Sequence, residues 1–269
     1  VHGCTDLYRQ RAELDGQKHS GELWPEDAQF LWLSVLQFVN PHSFIPGGYL
    51  GFSVVSTPTI AFDMHLHTRR YSPDSEINPF SLVRRAYDLG LMGVVITEHD
   101  CLWPPDELEE LRVATPGIQV YSGIEVSAHE GHFLCYGVHD ASKLPKGIHL
   151  KDLCGEVHAQ GGGIVAAHPY RWGQDFDEIL RQEPLLDGIE IMSSNMDNKL
   201  RQRARACHAH HQQPWARLGN SDGHQLPVVG CCYTVFPEPI RDQTDLLEAI
   251  RQANCDARER LQVTIEMVD

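Results

Sequence analysis

From Thr59 onward the chain repeats one rhythm: short apolar runs that read as strands, separated by stretches whose apolar residues recur at helical spacing. Strand-like runs fall at 59–66, 93–99, 118–126, 132–138, 163–167, 188–192, 216–220 and 231–236, and helical patterns at 79–90, 104–113, 149–160, 175–182, 196–211 and 242–253. The first helix shows the logic. Pro79 opens it, Leu82, Val83, Ala86 and Leu89 supply its apolar side, and Gly90 ends it. Alternating β and α units favour a parallel sheet with crossover helices, closed or nearly closed into a TIM-like barrel. The runs at 118–126 and 132–138 follow one another without a helix, so an antiparallel hairpin is expected there.

In such a barrel the functional groups gather at the C-terminal ends of the strands. The first run closes on Asp63-Met64-His65-Leu66-His67. A side-chain period of two predicts Asp63, His65 and His67 on one face, with Met64 and Leu66 on the other. Two imidazoles a strand-step apart can grip one metal ion, but two ligands do not close a site. The later strand ends supply more. Val94-Val95-Ile96-Thr97 runs into Glu98-His99-Asp100, the next strand into Glu125, Ile164-Val165-Ala166-Ala167 into His168-Pro169, and 216–221 into Asp222-Gly223-His224. His132 starts its strand, and the hairpin would bring it to the same rim. Singly, each residue could be a buried histidine or a turn-capping carboxylate. Jointly, they are the residue types that borderline divalent cations take. The other histidines, among them His129, His139, His149, His158, His208, His210 and His211, carry no such pattern and read as solvated surface.

The rest of the chain sets bounds. Its 269 residues suit one large domain, and a formal charge of −15 argues against holding nucleic acid by general electrostatics. No apolar run is long enough for a bilayer, and no secretory signal opens the chain, so a cytoplasmic setting without a membrane partner is expected. The eight cysteines form no C-x-x-C pair and read as reduced thiols, mostly buried. Residues 1–54 differ from the remainder. A helix is readable from Pro25 to Val39, followed by Pro41, Pro46, Gly47, Gly48 and Gly51, and no methionine precedes Met64. They are expected to be an appended extension, with a natural start near Val54 or Val55, or else a small helical cap on a domain spanning 55–269.

The motifs Asp63-Met64-His65-Leu66-His67-Thr68, Thr97-Glu98-His99-Asp100, Gly123-Ile124-Glu125, Gly131-His132, Ala167-His168-Pro169 and Asn220-Ser221-Asp222-Gly223-His224 together resemble the PHP (polymerase and histidinol phosphatase) family of metal-dependent phosphoesterases, over about residues 59–253. The resemblance implies a distorted (β/α)7 barrel holding two or three ions of zinc, manganese or iron. It also implies the ligand sets. His65, His67, Glu125 and Asp222 would hold one ion, His99, His224 and Asp74 a second, and Glu125, His132 and His168 a third, with Glu125 bridging. Two positions depart from the family's pattern. Glu98 stands where an aspartate is usual, so its supporting contact is expected to be longer, and Asp74 lies in a loop of variable length and could simply form a turn after Pro73.

Closely spaced cations suit phosphate-ester hydrolysis, with a small phosphomonoester as substrate and His99, Asp222, His224 and Arg171 as catalytic residues. Arg171, directly after His168-Pro169-Tyr170, is expected to bind phosphate oxygens, as are Arg69 and Arg70, although either of the latter could be a plain surface charge. Asp100 is expected to relay a proton or orient His99. Two alternatives stay open: an exonuclease or phosphodiesterase on short oligonucleotides, with Tyr71, Trp103, Tyr170 and Trp172 as stacking groups, and a non-catalytic accessory module. No stable nucleic-acid complex is expected.

Overall fold

The computed structural model describes residues 60–173, 175–182, 185–210 and 214–260. The expectations for residues 1–54 lie outside them. The strands are β1 (Ile60–Leu66), β2 (Gly93–His99), β3 (Gln119–Ser127), β4 (His132–Tyr136), β5 (Gly163–Ala166), β6 (Gly188–Met192), β7 (Ala216–Gly219), β8 (Cys232–Phe236) and β9 (Asp256–Glu259). The helices are α1 (Pro79–Asp88), α2 (Pro105–Ala114), α3 (Leu150–Ala159), α4 (Phe176–Gln182), α5 (Asn198–His210) and α6 (Gln243–Arg251). The short strand β9 carries too few apolar residues to be read from sequence.

The strands form one sheet in the order β7-β6-β5-β4-β3-β2-β1-β8-β9. Pairs β1–β2, β2–β3, β5–β6 and β6–β7 are parallel, whereas β4 runs antiparallel to both neighbours and β8 runs antiparallel to β1 and β9. The hairpin expected at 118–138 is therefore present, pairing Ser127 with His132. These antiparallel strands are what distort the barrel from an ideal run of β/α units.

Closure between the two sheet edges is made by packing and side-chain bonds. Thr234 Oγ1 donates to Gly219 O at 2.9 Å and accepts from Gly219 N at 3.2 Å. Gly219 permits that approach, since a Cβ there would lie 3.0 Å from the Ala257 Cβ and 3.1 Å from Tyr233 O. Arg217 on β7 pairs with Asp256 on β9 at 3.2 Å.

The interior has two halves. Phe62, Met64, Val95, Leu134, Tyr136, Val165, Leu218 and Phe236, from strands all around the barrel, pack with Leu246, Leu247 and Ile250 of α6. Outside, α1 and α2 cover Val94, Ile96 and Val120, and α3 packs over Ile124, Cys135 and Ile164. Burying a side chain of this size contributes about 1.5–3 kcal/mol. No disulfide links the described cysteines.

The strict alternation expected along β1 fails. Register against β2 shifts between Asp63 and Leu66, so Met64 packs in the inner cluster and Leu66 in the outer one. An extra residue in one strand turns the following side chains to the opposite face. Asp63 consequently points away from His65 and His67, and accepts from Ser221 N at 3.0 Å and Gly230 N at 2.9 Å. Thr97 Oγ1 bridges the irregularity, accepting from Leu66 N at 3.2 Å.

Candidate metal centre

Above the apolar half, the inward positions at the strand ends are polar. His65 from β1 and His67 just past it, His99 from β2, Glu125 from β3, His132 from β4, and His168 and Asp222 just past β5 and β7 meet there. His65, His67, Glu125, His168 and Asp222 are buried, as are Asp63, Glu98 and Glu190, while no Lys or Arg is buried among the described residues. Taking a carboxylate out of water costs several kcal/mol unless a positive charge answers it.

At the centre, His65 Nε2 lies 3.3 Å from both Glu125 Oε2 and Asp222 Oδ1. His67 Nε2 lies 3.2 Å from Glu125 Oε2 and 3.5 Å from Asp222 Oδ1. Ligands held about 2.0–2.1 Å from a tetrahedral ion are about 3.3–3.4 Å apart. His65 Nε2, His67 Nε2 and Glu125 Oε2 are buried and form no hydrogen bond. Buried polar atoms without partners are rare and call for an explanation such as an ion. The donor set therefore fits a divalent cation.

Two further groups adjoin this nest. Asp74 Oδ2 lies 3.2 Å from His99 Nε2 and 3.3 Å from His224 Nε2, and the His67 ring is 4.3 Å from both the His99 and His224 rings. On the other side, Glu125 Oε1 lies 2.9 Å from His132 Nδ1 and 3.0 Å from His168 Nε2. Glu125 thus faces both the nest and the His132–His168 pair. Two of these positions sit at unusual backbone angles, with φ of 26° at His168 and 50° at Asp222, and so does Asp100, next to His99, at 53°. Such conformations cost on the order of 1–3 kcal/mol each and cluster where side chains must be aimed.

Electrostatics follow from the crowding. Burial works against a charged His65 and His67, but nearby carboxylates outweigh it, lifting His67 to about 9 and His65 well above its ordinary value. Burial likewise opposes charge on Glu125 and Asp222, yet the imidazoles hold both well below the usual carboxylate range. Without a cation, the nest answers its carboxylates by holding protons on its histidines.

Outer contacts orient the imidazoles. His65 Nδ1 lies 3.0 Å from Glu190 Oε1, and Glu190 also accepts from Asn220 Nδ2 at 2.9 Å and His168 N at 2.7 Å. His67 Nδ1 lies 3.2 Å from Ser72 Oγ, which donates to Glu98 Oε2 at 2.5 Å. The longer contact expected of Glu98 is thus a relay through a hydroxyl. Glu98 also accepts from Trp103 Nε1 and from Thr68. A carboxylate behind Nδ1 keeps the proton there and leaves Nε2 free to ligate.

The arginines separate. Arg171 Nη1 lies 3.4 Å from Asp222 Oδ2, at the edge of the cluster. Arg70 is held by Glu107, with Nε and Nη2 both 2.9 Å from Oε2. The side chain of Arg69 is exposed, and no contact links it to the cluster. Asp100 does not orient His99; its carboxylate accepts from Ser127 N at 2.7 Å and lies 3.6 Å from Lys146 Nζ. Sequence reading missed Glu190, Ser72 and Asn195, whose side-chain amide donates to Asp222 Oδ2. Only Glu190 left a signal, as a charge inside the apolar strand Gly188-Ile189-Glu190-Ile191-Met192.

Residues 201–255, which include Asp222 and His224, match the PHP-associated family. No curated protein matches the chain. Among solved structures, PsfC from Pseudomonas syringae is 18% identical over 77% of this chain and 93% of its own, with a TM-score of 0.56. An amidohydrolase from Chromobacterium violaceum with bound sulfate and no metal is 18% identical over 75% of this chain and 98% of its own, with a TM-score of 0.55. A "putative metal-dependent phosphoesterase" from Bifidobacterium adolescentis is 18% identical over 70% of this chain and 96% of its own, with a TM-score of 0.50. At these identities the likeness is one of fold: a nearly closed, mixed α/β barrel of the PHP type. No described helix is long and apolar enough to cross a membrane.

Proposed function

We propose that the chain is a metal-dependent phosphoesterase acting on a small phosphomonoester. One observation carries this reading: a buried nest of unpartnered His and Glu donor atoms, bordered by His99, Asp74 and His224 and by the guanidinium of Arg171. His65, His67, Glu125 and Asp222 would hold one divalent cation, His99, His224 and Asp74 a second, and Glu125, His132 and His168 a third. When bound, such ions lower the pKa of water and neutralise charge on phosphoryl oxygens.

The chain's own residues do the rest. Arg171 would take non-bridging phosphate oxygens with its forked donors. Asn195 and Arg171 both face Asp222 Oδ2, which holds that carboxylate's other oxygen, Oδ1, toward His65 and His67. Arg70, held by Glu107, is a surface residue on this reading. An accessory module without chemistry is disfavoured, because every position of the donor set is filled.

A second reading draws on Trp172. Its half-exposed ring stands edge-on to the His132 and His168 rings, with centroids 4.5 and 4.9 Å away, and Arg171 lies 5.2 Å above it. A nucleobase stacked there would leave its phosphate near the donors, favouring a phosphodiesterase on short oligonucleotides. A screen over small phosphomonoesters, dinucleotides and short oligonucleotides, with metal content measured in parallel, tests both. Turnover confined to monoesters supports the first, turnover of dinucleotides supports the second, and metal-loaded protein inert on all of them overturns both.

A further inference from the structure

We propose that His129, Glu130 and His149 form a second, peripheral site for a borderline divalent cation such as Zn2+, Ni2+ or Cu2+, independent of the buried nest and of the reaction it supports. One donor atom from each of the three lies within 4.8 Å of the others. Glu130 Oε1 is 3.1 Å from His149 Nδ1 and 4.0 Å from His129 Nδ1, and the two imidazole rings are 4.7 Å apart. Two ligands about 2.1 Å from one ion can be at most about 4.2 Å apart, so both carboxylate–imidazole separations are within reach. The imidazoles are mostly exposed, at 68% and 63%, and small side-chain rotations close the remainder.

The residues meet because the fold brings two remote segments together. His129 and Glu130 form the turn between β3 and β4, and His149 stands at the entry to α3. Backbone bonds stitch the segments: His129 N to Ile148 O at 3.0 Å and Gly147 N to Ser127 O at 2.7 Å, while Ala128 N to Gly131 O at 2.9 Å closes the turn itself. Glu130 is fixed from behind, since its Oε2 accepts from Leu150 N at 2.8 Å and caps α3. Its Oε1 stays directed at the histidines. The carboxylate is 23% exposed, and water can complete the coordination shell. Two imidazoles and one carboxylate select against Mg2+ and Ca2+, which prefer all-oxygen ligands, and for the nitrogen-seeking transition ions.

An ion bound here would tie the β3–β4 turn to α3, and that turn lies between Glu125 and His132. Binding to the folded state alone stabilises it by mass action. In the absence of metal, His149 and Glu130 form an ordinary hydrogen-bonded contact, so the experiment must separate the two.

Metal-loaded protein is dialysed against Zn2+ alone, and bound metal is counted for the parent, for His129→Ala with His149→Ala, and for Glu130→Gln. The glutamine can still cap α3 through its carbonyl oxygen but has lost the charge. The parent is expected to take up one equivalent more than the double variant, and Glu130→Gln to hold that equivalent more weakly. His208→Ala with His210→Ala, a partly buried and an exposed histidine on α5, should retain it. With Cu2+ added to protein whose buried centre is already filled with Zn2+, electron paramagnetic resonance should show nitrogen coupling that disappears in the His129–His149 double variant. Equal uptake by parent and double variant overturns the proposal, as does equal loss in the α5 pair. Phosphoesterase activity is not the readout, so the result stands whichever substrate the buried centre takes.

Discussion

His65 meets Glu190 at 3.0 Å, Nδ1 to Oε1, with both side chains fully removed from water. The two are 125 residues apart in sequence. The pair is as informative as the donors themselves, because a carboxylate behind Nδ1 is what presents Nε2 to a cation. Ser72 and Glu98 do the same for His67 in two steps, of 3.2 and 2.5 Å.

Glu190→Gln should therefore weaken the inner cation by roughly 10- to 100-fold, since supporting partners of this kind contribute that much to affinity. An amide cannot accept from His65, Asn220 and His168 N together. Competition with a chelator of known affinity, on protein shown to be folded by circular dichroism, checks it. Unchanged affinity would mean that Glu190 only fills space.

Elemental analysis of protein produced in metal-replete medium should find at least two transition-metal ions per chain, and His65→Ala or Asp222→Ala should lower that number. Metal no higher than trace in the parent would remove the basis of the proposed chemistry.

Metal-free protein should respond to pH in a defined direction. His67 is raised to about 9 in the fold, so its contribution to stability is fully present below about pH 6.5 and is lost as pH rises through about 9. Glu125 and Asp222 are lowered, so theirs is present above the ordinary carboxylate range and lost as pH falls. A cation must displace the His67 proton, so its affinity strengthens over the same rise from about 6.5 to 9. The gap in Tm between metal-loaded and metal-free protein should accordingly widen across that window. Thermal melts at matched ionic strength measure it, and a gap that narrows would contradict the assignment of His67.

On the best substrate, His99→Ala should lower kcat by on the order of a hundredfold or more, because a missing ligand disables activated water. Arg171→Ala should instead raise KM, with about ten- to a hundredfold lost in kcat/KM if one charge-assisted contact goes. Arg70→Ala should resemble the parent, because Glu107 already holds that guanidinium. Steady-state kinetics of the three variants distinguish these outcomes.

Gly93→Ala should destabilise the barrel without touching the metal donors. A Cβ there would fall 2.1 Å from the ring of Phe62, deep in the inner apolar half. Overpacking of this kind costs about 1–3 kcal/mol, read as a lower denaturant midpoint with the slope unchanged.

The sequence by itself determined the alternation of strands and helices, the β3–β4 hairpin and the residue types at the strand ends. Each of these is a local property. Apolar spacing within a dozen residues decides strand or helix, and the end of an apolar run marks where a side chain can leave the core. Tertiary structure alone decided which of those side chains meet. The register shift after Met64 turned His65 and His67 inward and Asp63 away, an outcome that depends on β1 pairing with β2 and not on β1's own pattern. The tertiary fold set Glu190 behind His65, Asn195 beside Asp222, and Glu107 against Arg70. It also brought His149 to Glu130 and His129, residues that the sequence left as unrelated surface positions. Contacts between segments this far apart follow from how the strands pair and how the sheet curves, and neither is written in the spacing of any single segment.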